Sequence, residues 1–442
     1  MFWNERTTSV SALIMVIGLV LTGCNGEHSL FQKSSPKEDE LVKIVFWDDN
    51  TGPQRTPIWE ELINRFEKEN PNIDIEYVGL PKDSAKAMFD AAIASGEVPD
   101  IASVYASWLP EFSSRGALLP LDSYFSKWSE NIKINKGAIE FNKSIVSNQK
   151  LYGIPYTQNL DILWVRSDWF KEANLNTPET WDEFFRSVEM LTDKSNNRYG
   201  YTIRGGAGGT FQLQRMMYAY SGIETFFKDG KSTINDPKHV EFLKRYFALY
   251  QNYTPISDIT NDYKAMIAGF DSGNIAILQH NIGSFAEHSE ALDPEQFQAI
   301  PLPKSVEGHF VAEDGNTIGI SIFKGTEHPE ESWKFIRFIN SKKAQSFWNK
   351  SVGQIPTNLD VLSEDWIMTS PHIQTAQIVY NDPKTIHYEP PFYLPEYRTI
   401  LNTIVDTGTQ AVLSGKMPVE EFLNKWAEAM EQAQRHYDGL SR

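Results

Sequence analysis

The chain is 442 residues long, carries a formal net charge of −17 and contains one cysteine. That length is too great for one ordinary hydrophobic core and suits two lobes. The acidic balance makes nucleic acid and anionic membrane surfaces poor partners, and a single cysteine excludes an intramolecular disulfide.

An apolar run begins near Val10, takes in Leu13, Ile14, Met15, Val16, Ile17, Leu19 and Val20, and ends at Leu21-Thr22-Gly23-Cys24. It is too short to span a bilayer by itself. A leucine three positions before the cysteine, two small residues and then the thiol resemble the lipobox of bacterial lipoproteins. The resemblance implies that 1–23 is a lipoprotein signal peptide, cut before Cys24, and that a diacylglycerol is attached to the Cys24 sulfur. The membrane contact would then be the lipid on Cys24, at the extracellular face of the cell membrane. Residues 24–40 are polar and charged and read as a flexible stalk. No later segment is long and apolar enough to span a bilayer.

Order begins at Leu41. Ile44-Val45-Phe46-Trp47 is an uninterrupted apolar run, which marks a strand covered on both faces, and it stops at Asp48-Asp49-Asn50-Thr51-Gly52. The next segment predicts a helix with Thr56 as N-cap, Pro57 in its first turn and Trp59, Leu62, Ile63 and Phe66 on one face. Ile73, Ile75 and Tyr77 alternate as a second strand. A helix is predicted over Ser84–Ser95, stopping at Gly96, and Ile101–Tyr105 is a third strand. A β-α-β-α-β order implies a parallel sheet, whose ligands sit beyond the carboxyl ends of the strands. Those ends carry Trp47-Asp48-Asp49 and Tyr105-Ala106-Ser107-Trp108.

Further on, Ile162–Val165 reads as a strand after Thr157-Gln158-Asn159-Leu160-Asp161. Thr180 and Glu183 match a capping box. Gly205, Gly206, Gly208 and Gly209 form a glycine cluster without the Gly-Lys-Ser/Thr ending of a phosphate loop, so a flexible turn is expected, with open backbone for a ligand as the alternative. Gly273–Leu278 predicts a strand ending at Gln279-His280-Asn281-Ile282-Gly283-Ser284. Glu313-Asp314-Gly315-Asn316 precedes the strand Thr317–Ile322. A helix starts at Pro329, and two amphipathic helices close the chain, over Pro395–Ser414 and from Pro418.

Several stretches together resemble the extracellular solute-binding proteins of ABC importers, in the maltose-binding-protein-like family for sugars. They are Phe66-Glu67-Lys68-Glu69-Asn70-Pro71, Gly96-Glu97-Val98-Pro99-Asp100, Leu118-Leu119-Pro120-Leu121-Asp122, Leu151-Tyr152-Gly153-Ile154-Pro155, Thr180-Trp181-Asp182-Glu183-Phe184, Gly273-Asn274-Ile275-Ala276-Ile277, Trp333-Lys334-Phe335-Ile336, Gly353-Gln354-Ile355-Pro356-Thr357 and Val412-Leu413-Ser414-Gly415-Lys416. The resemblance implies an α/β, two-lobed periplasmic-binding-protein-like fold with hinged lobes and discontinuous domains. The chain crossings fall near 157, 314 and 353. The N-terminal lobe is then 41–157 with 315–353, and the C-terminal lobe 158–314 with 354–442. It further implies a carbohydrate ligand, the membrane permease subunits of an ABC importer as partners, a monomer, no cofactor and no catalysis.

A sugar receptor needs aromatic plates for C–H faces and planar polar groups for paired hydroxyls. The candidate loops offer Trp47, Tyr105 and Trp108 as plates. Asp48, Asp49, Asn159, Asp161, Asn281, Glu313, Asp314 and Asn316 are the polar partners, and Ser107, Phe211, His280 and Ser284 complete the set. Trp108 is expected to stack on sugar and to contribute little to stability, whereas Trp181, on an amphipathic helix, is expected in the core. These loops hold almost no Lys or Arg apart from Arg204, which speaks against an anionic ligand. Two other readings stand beside the sugar: a surface glycosidase built on Asp48-Asp49 or Glu313-Asp314, or the same fold binding a polyamine or peptide. The chain has no nucleophile elbow, no His-Glu-x-x-His and no cysteine nucleophile.

Overall fold

A computed structural model describes residues 41–440. The apolar run from Val10, the lipobox with Cys24 and the stalk lie outside the described residues. The strands are β1 (Val42–Asp48), β2 (Ile73–Gly79), β3 (Ile101–Tyr105), β4 (Ile154–Gln158), β5 (Asp161–Arg166), β6 (Tyr199–Tyr201), β7 (Phe227–Lys228), β8 (Lys231–Ser232), β9 (Ile275–Asn281), β10 (Phe297–Ile300), β11 (Val311–Glu313), β12 (Thr317–Ile322), β13 (Ile355–Pro356) and β14 (Ile386–Tyr388).

Two sheets organise the chain. The first runs β13-β4-β12-β3-β1-β2, and the second runs β10-β5-β9-β6. In the first, β1 pairs in parallel with both β2 and β3, as the β-α-β-α-β order predicts. The sheet then continues antiparallel, because β12 pairs antiparallel with β3 and β4. The chain leaves the first sheet between Gln158 and Asp161, returns to it between Glu313 and Thr317, and leaves again after Pro356. A small parallel pair, β11 with β14, sits beside the return.

The local signals mostly act where they stand in the sequence. The helix Thr56–Glu69 buries Trp59, Leu62, Ile63 and Phe66, the face its periodicity marked. Its N-cap is Arg55 rather than Thr56; the Thr56 hydroxyl instead accepts the Gly52 N–H at 3.2 Å, inside the loop. The following helix starts at Lys82, two residues before the expected Ser84. The capping box forms fully: the Thr180 hydroxyl accepts the Glu183 N–H, and the Glu183 carboxylate accepts the Thr180 N–H. The stretch read as one helix over Pro395–Ser414 is α-helical at Tyr397–Ile400 and Asp406–Leu413, with a π-helical segment, Leu401–Val405, between them.

One face of the first sheet packs Phe46, Trp59, Phe66, Phe335 and Trp348. The Trp59 and Trp348 rings lie 4.3 Å apart, and Phe46 meets Trp59 edge-on at 4.8 Å. The second sheet buries Ile162, Trp164, Phe270, Leu278 and Phe297. The last helix, Val419–Leu440, turns Phe422, Leu423, Trp426 and Met430 inward. Among the described residues no helix is long and apolar enough to cross a membrane.

Candidate functional site

The parallel strands β1, β2 and β3 all end on the side where the second sheet's loops approach. β1 ends in Asp48 and Asp49, which are 1% and 2% exposed. The Tyr77 hydroxyl donates to Asp48 at 3.1 Å, and the Ser103 hydroxyl donates to Asp49 at 2.9 Å. The other Asp49 oxygen is buried with no hydrogen-bond partner among the described residues. Two adjacent carboxylates out of water resist ionising together. Burial, then the neighbouring charge of Asp49, pushes Asp48 up to about 7, against the pull of Arg55. Burial also raises Asp49.

Beside these carboxylates is a cavity of about 140 Å³. One wall is the loop 50–55 after β1 together with Lys82, which follows β2. The other is Tyr263 and Lys264, at the start of the helix Tyr263–Asp271 before β9, His280 and Asn281 at the end of β9, and Gly283, Ser284 and Glu287 just after it. The Lys82 ammonium lies 4.6 Å from the centre of the Tyr263 ring, and the Arg204 guanidinium 5.5 Å from it. The His280 ring is parallel to Tyr263 at 5.8 Å, and its Nδ1 is 3.0 Å from the Ser284 hydroxyl. Burial, then repulsion from Arg55 and Arg204, lowers Lys82 to about 8. Burial, then Lys82 and Arg204, keeps His280 neutral by drawing it well below the usual imidazole range.

A second polar group forms around Arg215, on the helix Gly209–Ser221. Its Nη1 donates to Asp161 at 2.8 Å, while Nε and Nη2 grip both Glu313 oxygens at 2.9 and 2.8 Å. The Tyr388 hydroxyl adds a 2.9 Å bond to Glu313, and the Gln279 amide a 2.8 Å bond to Asp161. Asn159 and Asn316 close this group: the Asn159 N–H donates to the Asn316 carbonyl at 2.8 Å, and both residues line a small pocket with Asp161 and Glu313.

The candidate residues therefore divide. His280, Asn281 and Ser284 stand on the cavity wall, with Asp48 and Asp49 behind Arg55. Asn159, Asp161, Glu313 and Asn316 surround Arg215. Phe211 is half-buried beneath the guanidinium groups of Arg215 and Arg398, 6.0 and 5.8 Å away. Glu313 and Asp314 face apart: Asp314 pairs with His387 at 2.8 Å on a half-exposed surface, away from Arg215. Trp47, Tyr105 and Ser107 are half-buried at the strand ends, with Trp47 5.3 Å from Phe89.

Trp108 departs from its expected place. It is only 4% exposed and packs against Tyr105, Phe89 and Phe112 at 5.2 to 6.0 Å. A short 3-10 turn, Ala106–Trp108, swings the ring back under the sheet end. It is thus a core side chain with the Arg398 guanidinium 5.5 Å from its ring centre. The expectation that it contributes little to stability is corrected by this packing. Trp181 is in the core as expected, edge-on to Phe184, Tyr220 and Phe242.

The glycine cluster is a packing device. A Cβ on Gly209 would lie 1.9 Å from the Arg204 carbonyl, and one on Gly206 2.4 Å from that of Thr260. The turn is closed by neighbouring backbone, not open to a ligand.

Arg55, Lys82, Tyr263, Lys264, Arg215 and Arg398 escaped the sequence reading. Lys82 had a usable signal: it follows the carboxyl end of β2, a parallel strand end like those of β1 and β3. Arg55 sits three residues past Gly52, in the loop that follows β1. Arg215 had none, since its partners lie 54 and 98 residues away. Among the described residues, no cluster of three His, Cys, Asp or Glu is arranged to hold a metal ion.

The profile of the bacterial extracellular solute-binding protein family matches residues 52–346. The multiple sugar-binding protein of Streptococcus mutans is 23% identical over 352 residues, covering 75% of this chain and 78% of its own length. The polygalacturonan/rhamnogalacturonan-binding protein YtcQ of Bacillus subtilis is 28% identical over 243 residues, 52% of this chain and 47% of its own. An ABC transporter solute-binding protein of Thermotoga lettingae, solved with α-D-tagatose, superposes with a TM-score of 0.77 at 22% identity, covering 89% of this chain and 99% of its own. With the two sheets and the cavity between their loops, the match over about two thirds of the chain establishes that this protein belongs to the bacterial extracellular solute-binding proteins.

Proposed function

We propose that the chain captures a saccharide between two lobes and delivers it to the permease of an ABC importer. The observation that carries this reading is the cavity whose one wall follows β1 and β2 and whose other wall is built from the end of β9 and the helices on either side of it. A ligand there touches both sheets at once and favours their approach. The lobes are residues 41–157 with 315–353, and 158–314 with 354–442. Asn50, Asn281 and Glu287 provide hydroxyl partners, and Tyr263 an aromatic surface. The sugar-binding relatives named above support the ligand class. Hydrolysis is disfavoured by the fate of the acidic pairs: Glu313 is held by Arg215, and Asp48 and Asp49 are buried beside Arg55.

Titration of the full chain in mild detergent, by calorimetry against a panel of saccharides, a polyamine and a peptide mixture, is expected to give binding to a saccharide alone. Small-angle scattering should then show a smaller radius of gyration at saturation. Binding by the polyamine or the peptides, or release of a cleaved product, would overturn the reading.

The same proposal holds the protein at the outer face of the cell membrane through a lipid on Cys24, as a monomer. Cys24→Ala should abolish incorporation of labelled palmitate and leave the precursor uncleaved. Labelling equal to that of the wild type would remove the anchor.

A further inference from the structure

The cavity is cationic, and this reverses what its loops led one to expect. Arg55 and Lys82 approach it from the segments after β1 and β2, and Lys264 from the helix Tyr263–Asp271, with Arg204 beside Tyr263. Among the described residues Arg55, Lys82 and Lys264 form no ion pair, although Asp48 and Asp49 are near enough to favour the Arg55 charge against its burial, whereas burial, Arg55 and Arg204 oppose that of Lys82. Lys82 instead has an aromatic face, Tyr263, 4.6 Å away. The only carboxylate in the lining is Glu287, one of whose oxygens is buried without a hydrogen-bond partner. Asp48 and Asp49 are outside the lining; Tyr77 donates to one oxygen of Asp48 and Ser103 to one oxygen of Asp49.

Cations brought together in a half-enclosed space repel each other and lose hydration, and an anion entering between them relieves both costs. Arg215, by contrast, is held by two carboxylates at 2.8 Å. Building on the saccharide reading, we infer that the ligand is an acidic saccharide, whose anionic group sits between Arg55 and Lys82 while Glu287 accepts from a ring hydroxyl. The two cations come from the segments after β1 and β2, and Tyr263, His280 and Glu287 from β9 and the helices on either side of it, so the anion also links the two walls. A cationic ligand such as a polyamine would meet repulsion in the same place.

The test is titration of the full chain with trigalacturonate, glucose 6-phosphate and maltotriose, in the wild type, Lys82→Gln and Lys264→Gln. Tighter binding of trigalacturonate than of maltotriose is expected; preference for glucose 6-phosphate over both would assign the same site to a phosphate group. Lys82→Gln should weaken the acidic ligand by about ten- to a hundredfold, the range of one lost charge-assisted hydrogen bond. Lys264→Gln, at the exposed rim, should weaken it by less. Raising the ionic strength should lower wild-type affinity for the acidic ligand and leave any affinity for maltotriose unchanged, a readout independent of how the variants fold. Maltotriose binding as tightly as the acidic ligands would overturn the inference while keeping the saccharide reading. Binding by none of the three, with a polyamine or peptide bound instead, would overturn both.

Discussion

Arg215→Met is expected to destabilise the protein by about 3–5 kcal/mol, the cost of leaving buried charge without its partner. The guanidinium is the only cation paired with Asp161 and Glu313 among the described residues, and both carboxylate side chains are 6% exposed. Its fork joins four pieces of chain: its own helix, the start of β5, the end of β11 and, through Tyr388, β14. These include the points where the chain leaves and rejoins the first sheet. Methionine keeps most of the volume and none of the charge, so the loss would come from the stranded carboxylates rather than from a void. Urea denaturation of the full chain measures it. Adding Asp161→Asn and Glu313→Gln to the variant should recover part of the loss, because neutral amides tolerate burial better than unpaired carboxylates. A single variant as stable as the wild type would show that these charges are not coupled.

Trp108→Ala is expected to cost about 3–5 kcal/mol, as for large aromatic side chains removed from a core. The ring fills space among Phe89, Phe112 and Tyr105, which the backbone at the end of β3 cannot close. A second effect follows from its other neighbour. Arg398 reaches Trp108 from the C-terminal helices and touches Phe211 as well, so it links the end of the first sheet to the helix Gly209–Ser221. Losing the ring removes that cation–π contact, worth about 0.5–2 kcal/mol. The denaturation midpoint should fall well below that of the wild type, and Trp108→Phe should restore much of it. An unchanged midpoint would show that the packing of this ring does not support the fold.

Much of the fold follows from local signals. The apolar run of β1, the helical face of Trp59 to Phe66 and the capping box of Thr180 and Glu183 depend on neighbours within a few residues, and each forms in place, although the Val45 and Trp47 face of β1 is only half-buried. The β-α-β-α-β order of the first hundred residues and the motifs of the solute-binding family were likewise legible. Both place the ligand loops after the strands, and His280, Asn281 and Ser284 do line the cavity.

What the sequence by itself determined is therefore the sheet at its start, its loops and its family. The tertiary structure decided the charge of the cavity and the fate of individual side chains. A strand end presents a loop to one side of a sheet by local geometry, but which other loop faces it depends on contacts formed across hundreds of residues. Lys82 gains its meaning from Tyr263, and Glu313 loses its freedom to Arg215. Trp108 turns inward because Phe89 and Phe112, from two different helices, leave a space it fills. Burial and electrostatic pairing are set by distance in space, and periodicity along the chain carries no record of which distant residue will arrive.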